Sequence, residues 1–147
     1  MKSKNLLILF LILILLTIIG CSSQKDASVP EYSKITVKEA KEMMDQDSTV
    51  TVLDVRTEDE YNSGHIEGAI LIPDTEILER AEEILADKSA TILVYCRSGR
   101  RSALAAADLA NLGYSKVYDF GGIIDWEYDI VTEGYSHWTS KFHIHIS

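Results

Sequence analysis

The chain has 147 residues, 46% of them hydrophobic and 25% charged, and carries a formal net charge of −9. Such a chain can bury one sizeable core. Its acidity argues against a nucleic-acid partner and against adsorption to anionic lipid headgroups.

In chain order, Lys2 and Lys4 precede a fourteen-residue apolar run, Leu6–Ile19, and then Gly20-Cys21. A membrane-spanning helix needs about 20 apolar residues. A basic start, a short apolar stretch and a small residue before a processing point read as an export signal. Ile18-Ile19-Gly20-Cys21 resembles a bacterial lipobox, which implies that residues 1–20 are a signal peptide and Cys21 is the acylated mature N-terminus. The two acyl chains of such an anchor are enough for stable attachment, where one is marginal. Ordinary secretion or an uncleaved signal anchor is the alternative. Removal of Lys2 and Lys4 takes the charge from −9 to −11. Residues 21–30, small, polar and unpatterned, read as a flexible tether, and residues 31–147 as the folded domain.

Lys34–Thr36 is a strand candidate, and Ser33 or Thr36 is placed to cap a helix over Val37–Met44, where Val37, Ala40, Met43 and Met44 share a face. Thr49–Val55 is rich in β-branched residues and reads as a strand. Thr57-Glu58-Asp59-Glu60 matches a capping box, and its helix should end by Gly64. The acidic run Glu58–Glu60 complements a helix N-terminus. After a loop at His65–Gly68 come a short strand, Ala69–Ile72, a helix over Glu76–Leu85 and a strand, Thr91–Tyr95. Ser102–Leu112 reads as a helix, Lys116–Phe120 as a strand, and Gly121-Gly122 as a turn before a last helical turn through Trp126. Strands alternating with helices predict an α/β fold with a mainly parallel sheet. Nearly uniformly apolar strands predict that both faces are covered by helices.

Thr91–Tyr95 delivers Cys96 to a strand's carboxyl end, where ligands bind in such sheets. Arg97-Ser98-Gly99-Arg100-Arg101-Ser102 follows, then an alanine-rich helix. Free backbone N–H groups at that junction, and the positive end of the helix dipole, favour a thiolate. The N–H groups of residues 97–101, with Gly99 granting backbone freedom, are expected to form a nest for the sulfur. With Cys21 lipidated, Cys96 has no partner in its own chain, so it is either an intermolecular link or a reactive group. Arg101 is expected to order the loop or pair with an acid. Arg97 and Arg100 are expected at the mouth as anion attractors, or simply solvated. Ser98 and Ser102 could bond sulfur or cap the helix. The thiol should be within reach of small solutes.

Three ordered segments resemble single-domain rhodanese-like sulfurtransferases. These are Leu53-Asp54-Val55-Arg56 with Glu60-Tyr61 and Gly64–Ala69, then Cys96–Ser102, then Gly121–Trp126. The match runs from about residue 35 to 126 and leaves 131–147 as an extension. It implies a five-stranded, mainly parallel sheet flanked by helices, with the nucleophile loop after the fourth strand. It also implies transfer of sulfane sulfur through a Cys96 persulfide, from a small anionic donor such as thiosulfate to a thiol or cyanide, with no cofactor. The substrate-binding set is then Arg97, Ser98, Gly99, Arg100 and Arg101. The loop Cys96–Arg101 has six residues, the sulfurtransferase length. Rhodanese-like phosphatases and arsenate reductases carry one more and place arginine where this chain has Ser102. A non-catalytic or redox binding module is the other alternative. The lipid anchor would hold the protein on the outer face of the cell membrane.

Asp54 and Arg56 are expected to brace the turn after their strand. Tyr118, Phe120 and Trp126 are core candidates, and His65 is expected in a structural role. Phe142, Ile144 and Ile146 alternate with His143 and His145, which suggests an edge strand. Those histidines and His137 have no cysteine or tight carboxylate cluster beside them, so no metal site is expected.

Overall fold

A computed structural model describes residues 31–132. Cys21, expected to carry the lipid, the expected tether and the histidine-bearing tail lie outside the described residues.

Five strands form one sheet in which every pairing is parallel: β1 (Ser33–Lys34), β2 (Thr51–Asp54), β3 (Ile70–Leu71), β4 (Thr91–Cys96) and β5 (Lys116–Gly122). The spatial order β1-β5-β4-β2-β3 puts β4 in the middle. Four helices connect them: α1 (Val37–Gln46), α2 (Glu58–Ser63), α3 (Ile77–Ile84) and α4 (Arg100–Asn111). Single 3₁₀ turns lie at Asp74–Glu76 and Ile123–Asp125.

Period-two alternation decides what each strand face does. Leu53, Ile92, Val94 and Cys96 pack with Ile77, Ala81, Ala105 and Leu109 of α3 and α4. Val52, Leu93, Tyr95 and Phe120 point the other way, against Ala40 and Met43 of α1, Tyr61 of α2 and Trp126. Covering both faces removes β4 from water, and Leu93, Val94 and Tyr95 are all 0% exposed. Each such large apolar side chain contributes about 1.5–3 kcal/mol by burial. Cys96 therefore lies on the α3/α4 side.

Local signals set the helix starts. Thr57 and Glu60 form the expected capping box, and α2 stops at Gly64. Thr36 caps α1 in a second box with Glu39. Most boundaries differ from expectation by a residue or two, and three of the differences bear on the sheet and the site. The first strand is Ser33–Lys34, although the Ile35 N–H still donates to the Asp119 carbonyl at 3.0 Å. Gly121-Gly122 is the end of β5, not a turn. Val94 pairs with Asp119 and Tyr95 with Gly121, so a bulge at Phe120 absorbs the irregularity. Helix α4 begins at Arg100, two residues before Ser102, because Gly99 serves as its N-cap with φ 93°.

Buried polar groups are tied down. Arg56 Nε and Nη2 both donate to the Asp54 carboxylate, at 2.9 and 2.6 Å, and Nη2 also donates to the Gly64 carbonyl at 2.7 Å. This pair locks the exit of β2 to the end of α2. The Tyr95 hydroxyl accepts from the Ile66 N–H at 3.2 Å. Burial and the nearby Asp54 carboxylate drive that phenol's pKa well above its ordinary range. His65 stacks on Tyr61 with ring centroids 3.6 Å apart, and its backbone bridges to Val131. It is a structural residue of the loop before β3. Among the described residues no helix is long and apolar enough to cross a membrane, and no cluster of three metal-ligating side chains occurs.

Candidate active site

Cys96 is the last residue of the central strand, and its sulfur sits beneath the turn that starts α4. The Gly99 N–H donates to Cys96 Sγ at 3.1 Å. That contact requires Gly99 in the left-handed region, where a residue with a Cβ is strained. Sγ lies 3.6 Å from Ser102 Oγ. The Ser102 hydroxyl also lies 3.1 Å from the Gly99 carbonyl and 3.2 Å from the Gly121 carbonyl. Its single proton can serve either carbonyl, or the sulfur when the sulfur is anionic.

Burial pushes the Cys96 thiol up. The Ser102 hydroxyl and the N–H groups of Ser102, Ser98 and Gly99 outweigh it, and the net pKa is lowered from the ordinary thiol value. Of the expected run 97–101, the Gly99 amide is bonded to the sulfur at 3.1 Å, and the N–H groups of Ser98 and Ser102 act with it in lowering the thiol's pKa. The N-cap of α4 is Gly99, which has no side chain, rather than either serine.

The loop rests on β5. A Cβ on Gly122 would meet the Arg97 carbonyl oxygen at 2.4 Å and Ser98 Cα at 2.7 Å. Only glycine lets the Cys96 loop approach the strand so closely. The Ile124 N–H donates to the same Arg97 carbonyl at 3.3 Å.

Arg101 makes a two-pronged ion pair with Glu60, at 2.7 and 2.8 Å. Chiefly through that hydrogen-bonded pair, Glu60 is held at a pKa of about 2 and Arg101 is raised. Glu60 thus both caps α2 and anchors the far end of the loop. Arg97 and Arg100 are exposed, and neither makes an ion pair among the described residues. Cys96 itself is 1% exposed, which corrects the expectation of an open thiol. Arg97 and Ser98, directly after it, are exposed, so the sulfur lies one layer below the surface. A groove of about 740 Å³, lined by Lys41, Met44, Ile66, Trp126 and Tyr128, does not include the cysteine.

Sequence reasoning missed Glu60 as the partner of Arg101 and Gly122 as the floor of the loop. Their signals were present only as a capping-box acid and as the second glycine of a pair.

The fold and this site define a parallel α/β protein whose middle strand ends in a thiolate-stabilising loop. Residues 36–129 match the Rhodanese-like domain family, and the chain belongs to that family. Among its relatives, the thiosulfate sulfurtransferase PspE of Escherichia coli is 41% identical over 73 residues, which cover 50% of this chain and 70% of PspE. The putative sulfur carrier protein YrkF of Bacillus subtilis is 37% identical over 106 residues, 71% of this chain, although the chain spans only 55% of YrkF. The solved rhodanese-like domain of Alr3790 from Anabaena superposes with a TM-score of 0.63 at 26% identity, covering 78% of this chain and 91% of that domain.

Proposed function

We propose that the protein moves sulfane sulfur from thiosulfate or a persulfide to a thiol or cyanide, with Cys96 as carrier. The observation that carries this reading is the cradle around Cys96 Sγ, above all the Gly99 N–H at 3.1 Å. The Cys96 thiolate attacks the outer sulfur of thiosulfate. The S–S bond of the donor breaks, sulfite leaves with the electron pair, and a Cys96 persulfide anion remains. The Gly99 N–H already donates to the first sulfur, so it stabilises the anion without reorganisation, together with the N–H groups of Ser98 and Ser102. Covalent storage splits the transfer into two easier displacements. The persulfide extends the reactive atom by about 2 Å, which brings a deep-set sulfur nearer the surface. The exposed Arg97 and Arg100 draw the anionic donor towards the mouth. The six-residue span Cys96–Arg101 supports a cradle sized for one sulfur rather than a tetrahedral oxyanion.

Incubation with thiosulfate followed by intact-mass measurement tests this. The protein should gain one sulfur atom, located on Cys96 and lost on adding cyanide, and the Cys96→Ser variant should gain none. No mass gain would refute it.

The same proposal places the protein on the outer face of the cell membrane, tethered through a diacylated Cys21. Mass spectrometry of the mature protein should find residues 1–20 removed and Cys21 modified; an unmodified Cys21 would refute the anchor.

A further inference from the structure

Asp119 is 4% exposed, yet none of the ion pairs among the described residues includes it. Burying a carboxylate without a cation beside it costs stability, so stability alone does not account for this one. Its Oδ1 accepts from the Gly121 N–H at 3.0 Å. Asp119 and Gly121 flank the bulge at Phe120, and Gly121 has φ 92°. Asp54 offers a comparison. Its carboxylate also accepts from the N–H two residues on, that of Arg56 at 2.9 Å, but there the Arg56 guanidinium neutralises it. Asp119 makes the same turn without an arginine. Gly121 is in turn the floor under both groups that bond the sulfur. Its carbonyl lies 3.2 Å from the Ser102 hydroxyl, which is 3.6 Å from Cys96 Sγ. A Cβ on Gly99 would lie 3.5 Å from Gly121 Cα, so the residue whose N–H donates to Sγ rests directly on this floor.

We propose that Asp119 is a positioning residue for the Cys96 thiolate: by holding the Gly121 N–H, it fixes the platform from which Gly99 and Ser102 are aimed at the sulfur. It acts through the backbone of β5. The proposal deepens the sulfurtransferase reading, because the anion so held is the nucleophile which that reading requires, and it rests on that reading for its effect on sulfur loading. Without the carboxylate, nothing on the Asp119 side chain fixes the Gly121 peptide, and its carbonyl can turn from Ser102. The hydroxyl then relaxes towards the Gly99 carbonyl and away from the sulfur. The sign of the effect separates geometry from charge. Removing a negative charge by itself lowers a nearby thiol's pKa, so a rise on loss of Asp119 reports lost geometry.

The test is iodoacetamide alkylation of Cys96 against pH in the full chain. Asp119→Ala should raise the midpoint by about half to one unit, which slows alkylation at pH 7 about three- to tenfold. Asp119→Asn keeps an oxygen at the Oδ1 position and should leave the midpoint at or below that of the parent. Asp119→Ser, whose shorter hydroxyl bonds a nearby N–H more weakly, should fall between the parent and Asp119→Ala, and it serves where the alanine variant does not fold. In a Ser102→Ala background, the alanine or serine substitution should add less than its single effect, because both act along one path. An unchanged or lowered midpoint in Asp119→Ala or Asp119→Ser, whatever the loss of stability, would overturn the proposal. So would a midpoint raised as much in Asp119→Asn as in Asp119→Ala, or shifts that simply add to that of Ser102→Ala. Thiosulfate loading of the same variants should slow in step with alkylation. A parent protein that loads no sulfur would strike the sulfurtransferase reading, while the alkylation midpoints would still decide the positioning role.

Discussion

At the scale of single residues, the loop turns an ordinary thiol into an acid by aiming N–H and O–H donors at one atom. Ser102 is the most economical of these donors, because it is fully buried and its hydroxyl touches the sulfur and two carbonyls of the loop floor. Replacing it with alanine removes this side-chain donor and keeps the amides. Loss of one such bond costs about 1 kcal/mol, so Ser102→Ala should raise the Cys96 pKa by about half to one unit. Alkylation rate against pH measures this. The placement of Cys96 between a strand end and a helix start was legible in the sequence because the β-branched run Thr91–Tyr95 and the glycine-arginine loop are contiguous. The choice of amides was not legible. It depends on Gly99 turning left-handed and starting α4 at Arg100, a detail that several local conformations of the same residues could satisfy.

At the scale of elements, the site is a contact between the end of β4 and the end of β5. The bulge at Phe120 and the bare backbone of Gly122 set the height of the loop above the strand. A Gly122→Ala substitution puts a methyl group 2.4 Å from the Arg97 carbonyl oxygen, against backbone that cannot swing aside. It should cost about 1–3 kcal/mol of stability, as overpacking does, and should shift the Cys96 amides off the sulfur. Denaturant unfolding together with thiol titration reads both effects; unchanged stability with an unchanged thiol would contradict the packing argument. Element types were readable from the chain because capping boxes, β-branched runs and helical apolar spacing are local. The Thr57–Glu60 box is the clearest case. The end of β5 was misread because two adjacent glycines carry the same local signal in a turn and in a bulged strand. Which occurs is decided by pairing with β4, far away in sequence.

At the scale of the whole molecule, few long-range ties hold the site edge together. Asp54 and Arg56 join β2 to the end of α2, and Glu60 joins α2 to the loop through Arg101, 41 residues later. A separation of that size is invisible to any local pattern, which is why Glu60 read only as a cap. Because Glu60 has a folded-state pKa of about 2, below its ordinary 4.5, its stabilising contribution is present above pH 4.5 and is lost as pH falls towards 2. The pair is part-exposed, so the contribution is about 1–2 kcal/mol after solvent screening. A Glu60→Gln variant should be less stable than the parent by that amount at pH 7, and the gap should close between pH 4.5 and 2. Urea unfolding at several pH values provides the check; a gap independent of pH would show that the charge is not what matters.

The most direct measurement of the central claim is the pH dependence of Cys96 alkylation by iodoacetamide in the folded protein. Deep burial opposes ionisation and the loop donors favour it, so the midpoint reports which effect wins. The midpoint should fall below the free-thiol value of about 8.5 and move upward in Ser102→Ala. A midpoint at or above about 8.5 in the parent protein would contradict a thiolate held by the loop.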